Sequence, residues 1–170
     1  MSKKTTRGKD RTIIIACIII GVILFTVLFA AFGIPVISSN IKMSRTLDAF
    51  DDFSENDYII VRDPSFEGRL SVGTVEVTLT GNDARELLSR LDEATEKRSY
   101  SGSENHAGGE WDICITGNIG GKTVWLYLCE NRFYVVSDYK HIFFTPRGSS
   151  SAAYSSFYSE ITGIIENNAE

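Results

Sequence analysis

The chain has 170 residues, 17 of them basic and 22 acidic, for a formal net charge of −5. Five bases and one acid lie in the first 11 residues, so the remainder carries 12 bases and 21 acids, a net of −9. That balance repels phosphate backbones and argues against a nucleic-acid partner, while ten Phe, seven Tyr and two Trp exclude a wholly disordered chain.

Residues 1–11 form a basic tail with Lys3, Lys4, Arg7, Lys9 and Arg11. Ile13 to Ile37 then runs for 25 residues without a charge. A bilayer core about 30 Å thick needs roughly 20 apolar residues at ~1.5 Å rise each, so residues 12–37 are expected to be a transmembrane helix. Its many isoleucines do not argue for a strand, because in lipid each backbone polar group must be satisfied within the segment. The basic flank precedes the run, and Asp48, Asp51, Asp52, Glu55 and Asp57 follow it. A cytoplasmic N-terminus and an extracytoplasmic remainder are therefore expected at a cell membrane crossed once. Ala31-Phe32-Gly33 has the small-residue spacing of a signal-peptidase site, but the apolar run before it exceeds the ~7–15 residues of a signal peptide. Cys17 comes too early in the run for a lipid-attachment box. Pro35 is expected to bend or end the helix.

Residues 38–57 read as a juxtamembrane stalk or a short amphipathic helix over 41–53, with Met43, Leu47 and Phe50 on one stripe. Residues 58–170 are expected to form one extracytoplasmic domain. Tyr58 to Arg62 is a strand by composition, and Asp63-Pro64 breaks it. From Arg69 to Thr80 apolar residues alternate, with a change of parity at Gly73-Thr74 that demands a bulge or turn. Thr80 or Asn82 caps a helix whose buried stripe is Ala84, Leu87, Leu88, Leu91 and Ala94 and which runs to Lys97-Arg98. Residues 99–110, rich in small and polar side chains, read as a long loop, and long loops are disproportionately functional. Tyr100, Glu104, His106 and Glu110 are its candidate functional residues. Strands are expected at Trp111–Thr116, Thr123–Cys129, Phe133–Val136 and His141–Thr145. A last helix carries Tyr154, Phe157, Tyr158, Ile161 and Ile165.

The order β-β-α-β-β-β-(β)-α predicts an α+β domain, an antiparallel sheet with two helices packed on one face. Leu87, Leu88, Leu91, Ile113, Ile115, Val124, Leu126, Leu128, Phe157 and Ile161 are the expected core. A hairpin turning on Gly121-Lys122 sets Cys114 opposite Cys129, a possible disulfide in a compartment that permits one. A turn on Gly120-Gly121 pairs Cys129 with Asp112 instead. The layout from Val75 through the Leu87-Leu88 helix to the meander of Trp111 to Glu130 resembles small, functionally uncharacterised domains that Gram-positive bacteria tether outside the membrane by a lipid or an N-terminal helix. The resemblance implies an extracytoplasmic location and carries over no catalytic residue.

Signals for chemistry are sparse. Gly117-Asn-Ile-Gly120-Gly121-Lys122-Thr123 has the end of a phosphate loop, but Thr116 stands where its first glycine belongs and a strand follows instead of a helix. Asp52 to Asp63 places oxygen ligands as a calcium loop does, yet Asp57 replaces the turn glycine and Ile60 occupies a ligand position. No Cys-x-x-Cys and no histidine pair at ligand spacing occurs, so neither metal nor cofactor is expected. His106 and His141 have no nucleophile beside them in sequence, and Gly-x-Ser-x-Gly is absent, so no catalytic residue is assigned. The expectation is a single-pass membrane protein presenting an extracytoplasmic binding domain to an envelope protein, a cell-wall component or a membrane partner. An envelope hydrolase using cysteine or serine with one histidine is the alternative, and a structural subunit of a membrane complex the third.

Overall fold

The structure, a computed structural model, describes residues 6–62, 75–105, 113–137 and 140–168. It divides into two compact units, Met1–Ser39 and Asn40–Glu170.

The first unit is helical. Helix α1 covers Thr6–Leu28, a π-helical turn covers Phe29–Gly33, and α2 covers Ile34–Asp51, its first residues belonging to this unit. The stretch is the one among the described residues long and apolar enough to cross a membrane. Its apolar side chains from Ile13 onward are exposed, and the hydroxyl of Thr26 donates to the Val22 carbonyl at 2.8 Å, so its polar group is satisfied within the helix as lipid requires. Pro35 does not end the helix. It lacks an N–H, and its ring crowds the carbonyl four residues back. The preceding turn is widened, with the Ile34 N–H donating to the Phe29 carbonyl five residues away. Gly33 fits there because a Cβ would lie 2.7 Å from the Phe29 ring.

The second unit opens with the remainder of α2, whose Met43, Leu47 and Phe50 are buried. Of stalk and amphipathic helix, the chain has the helix, and its stripe is core. Strands β1 (Tyr58–Arg62) and β2 (Glu76–Thr80) pair antiparallel, followed by α3 (Gly81–Thr95) and β3 (Arg98–Asn105). Then come β4 (Ile113–Ile119), β5 (Lys122–Cys129), β6 (Arg132–Ser137), β7 (Lys140–Pro146) and α4 (Ser149–Asn167). The sheet has seven strands in the order β2-β1-β4-β5-β6-β7-β3, every neighbouring pair antiparallel. The fold is α+β, as expected, with two corrections. A seventh strand, β3, comes from the predicted loop. The C-terminal part of α2 joins α3 and α4 as a third helix in the main core.

That core gathers the inward rows of the strands: Ile59 and Val61, Ile113 and Ile115, Leu126 and Leu128, Phe133 and Phe144, all under 3% exposed. Against them pack Leu87, Leu91 and Ala94 of α3 and Tyr154, Phe157 and Ile161 of α4. Leu88 is only partly buried at the margin of this cluster. Gly117 is required by the approach of α2, since a Cβ there would sit 2.9 Å from the Phe50 ring.

The β4–β5 hairpin turns on Gly120-Gly121, both with positive φ (56° and 76°), the geometry of a two-residue turn that glycine supplies without strain. Ile119 therefore pairs with Lys122, and Cys114 lies opposite Tyr127. The turn on Gly121-Lys122, and with it the direct pairing of Cys114 and Cys129, is corrected. Asp57, just before β1, holds this tip. Its carboxylate accepts the Ser54 hydroxyl at 2.6 Å, the Ser54 amide at 2.7 Å and the Gly120 amide at 3.0 Å. Those donors hold its carboxyl below the usual range, the Ser54 hydroxyl contributing most.

Candidate functional site

Helix α4 starts after Gly148, whose φ of +59° turns the chain out of β7. Its stripe at positions 154, 157 and 161 faces the core, so the face carrying Ser151, Ser155 and Ser159, spaced four apart, lies beside it. Two clamps fix the helix. The buried Ser150 hydroxyl donates to the Glu93 carbonyl at 2.7 Å and accepts from the Lys97 amide at 3.1 Å. Further along, the Tyr154 hydroxyl lies 2.7 Å from the carbonyls of both Cys129 and Arg132, which ties α4 to the β5–β6 turn.

Between that turn, the end of β7 and α4 lies a groove of about 1040 Å³. Glu130 and Asn131 line it from the turn, Thr145 and Pro146 from β7, and Tyr158, Thr162 and Glu166 from α4 beside the serines. The Tyr154 and Tyr158 rings stand 6.4 Å apart at 24°. Among the described residues no cysteine, histidine, lysine or arginine is in the lining. Several hydroxyl protons are spent on the backbone: Ser151 donates to the Pro146 carbonyl (3.2 Å), Ser155 to the Ser151 carbonyl (3.1 Å) and Thr162 to the Tyr158 carbonyl (2.9 Å). The groove thus presents oxygen lone pairs more than donors.

The chain matches no protein-family model, no curated protein and no solved structure.

The opposite face of the sheet carries a second, smaller cluster of Cys114, Tyr127, Cys129, Tyr134 and Phe143. Tyr127 and Tyr134 stack at 4.8 Å and 9°, and His141 lies over Tyr134 at 5.0 Å. The Arg132 guanidinium sits 4.4 Å from the Phe143 ring centre. Cys114 and Cys129 share this face as thiols, both buried, and Cys114 contacts the Thr116 hydroxyl at 3.5 Å. At the margin of the cluster Trp125 is 42% exposed, with Arg62 over its ring at 5.7 Å.

Of the four residues expected in a functional loop, the structure describes two, and both lie on β3. Tyr100 lies on β3 and packs edge-on against Phe144 at 6.2 Å, a core contact. Glu104 is exposed on β3, in register with His141. His106 and Glu110 lie outside the described residues, as does the parity change at Gly73-Thr74. Among the described residues no three His, Cys, Asp or Glu side chains gather as a metal site would need. An acidic group does form where α2 meets α3: burial first, then Asp92, Asp48 and Asp52, push the Asp51 carboxyl up. Nearby, burial lowers the Arg98 guanidinium, which donates to the Ser44 hydroxyl at 2.7 Å and the Thr95 carbonyl at 3.0 Å.

Sequence reasoning missed the groove. Its one signal was the serine spacing on the last helix, which a polar helix face explains as well.

Proposed function

We propose that this protein is a single-pass membrane protein that holds its α+β unit outside the cell as a binding domain, with the groove beside α4 as its recognition surface. One observation carries the binding reading: the groove is sizeable, and its walls mix carboxylates, hydroxyls and an amide with apolar and aromatic surface, as a ligand site does. The anchoring rests on the apolar helix near the N-terminus, and the orientation on the basic residues that precede it and the acidic ones that follow.

Ser155→Cys places a thiol at the groove, to be probed on intact cells with a membrane-impermeant maleimide against the wild-type cysteine background. Labelling without permeabilisation, equal to that after it, is the expected result. Labelling only after permeabilisation would place the groove in the cytoplasm and refute the proposal.

A further inference from the structure

We infer that the groove beside α4 takes an organic cation bearing alkyl-ammonium groups, the chemistry shared by linear polyamines and lysine side chains; this rests on the groove being the recognition surface. The argument is one of donors and acceptors. Glu130 and Glu166 bring two carboxylates, which only accept hydrogen bonds. Ser151, Ser155 and Thr162 have each committed their proton to a backbone carbonyl, and Tyr154 has committed its own between Cys129 and Arg132. Each serine and threonine oxygen keeps its lone pairs for a ligand. Against these acceptors the lining sets as donors the Asn131 amide and the hydroxyls of Thr145, Tyr158 and Ser159, and no basic side chain among the described residues.

Three ligand classes separate on that balance. An anion finds no cation in the lining and two carboxylates against it. A neutral sugar presents acceptors as well as donors, and four of the seven lining hydroxyls have given their protons to backbone carbonyls. An alkyl-ammonium has three donors and no acceptor, the complement of what the groove offers. The Tyr158 ring adds attraction for a cation over its face, and Pro146 and Gly163 give the intervening methylenes an apolar floor. The volume, about 1040 Å³, admits an extended chain instead of a single ion.

The test is calorimetric titration of the full-length protein in detergent micelles at low salt with spermidine, tetralysine and maltotetraose. Saturable binding of spermidine or tetralysine is expected, and whichever binds tighter identifies the source of the ammonium. Glu130→Gln/Glu166→Gln should weaken it at least tenfold, while Glu55→Gln, an exposed acid distant in sequence and absent from the lining, should leave it unchanged. Ser155→Trp, which fills the groove, should abolish it. Equal weakening by the Glu55 variant would reduce the effect to general acidity and overturn the inference, as would no binding of either cation. Binding of maltotetraose alone, lost in Ser155→Trp, would overturn the cation class and leave the groove standing. Cation binding that Ser155→Trp leaves intact would overturn both.

Discussion

Tyr154 decides whether α4, and with it the groove, is seated where the structure puts it. The residue is 1% exposed, its ring lies 5.6 Å from Phe133, and its hydroxyl sits 2.7 Å from two backbone carbonyls. Tyr154→Phe keeps the ring and removes the one proton that those carbonyls share. A neutral hydrogen bond is worth about 0.5–1.5 kcal/mol net, and a buried acceptor left without a partner costs ~1–3 kcal/mol, so the expected loss is about 2 kcal/mol. Tyr154→Ala also empties the ring's volume, which for a buried aromatic costs about 3–5 kcal/mol, for a total of about 5–7 kcal/mol. A domain's whole stability is about 5–15 kcal/mol, so the alanine variant approaches unfolding and the phenylalanine variant does not. Urea unfolding of the full-length protein in mild detergent, followed by near-ultraviolet circular dichroism, reads both. With a slope of about 1–3 kcal/mol per molar urea, the phenylalanine variant should lower the midpoint by roughly 1 M. Both variants falling within about 0.5 kcal/mol of wild type, the range of exposed positions, would refute the clamp and the seating of α4.

Leu126, wholly buried on the central strand β5, should cost about 3–5 kcal/mol when truncated to alanine; a loss under ~1 kcal/mol in the same urea assay would reverse the faces of the sheet. Cys114 and Cys129 should resist a thiol reagent in the native protein and react once it is unfolded, and a disulfide found by non-reducing mass spectrometry would contradict the hairpin register. Asp57, whose folded carboxyl is held low, stabilises the fold fully above its unfolded value of about 3.9 and loses that contribution as pH falls through the folded value. Wild type should therefore lose stability more steeply than Asp57→Asn between about pH 5 and pH 2.5, and parallel curves would show that the carboxylate does not hold the hairpin tip.

Local pattern carried most of the fold. The period-two rows at Ile113, Ile115, Val124, Leu126 and Leu128 and the helical stripes at Leu87, Leu91, Phe157 and Ile161 all reach the core, because each element had one apolar face and one core to bury it in. What failed was non-local. Arg98–Asn105 is short of apolar residues because it is an edge strand with one neighbour, held by its ladder to β7 and by Tyr100 alone reaching inward. Its serines and Gly102 therefore read as loop. The hairpin register hung on which of two adjacent dipeptides turned, and Gly120-Gly121 won because both positions need positive φ. Met43, Leu47 and Phe50 were legible as a stripe, but nothing local said that the stripe belongs to the core. The groove was the least legible feature, since it joins Glu130 of one turn to Glu166 of a distant helix.

The central claim is that an uncleaved helix holds the folded unit outside the cell, and limited proteolysis of intact cells stripped of their wall tests it most directly. The account predicts that added protease removes the Asn40–Glu170 unit and leaves an N-terminal fragment in the membrane, starting before Ile13. A unit wholly protected until the membrane is opened, or a mature chain beginning near Ile34, would contradict it.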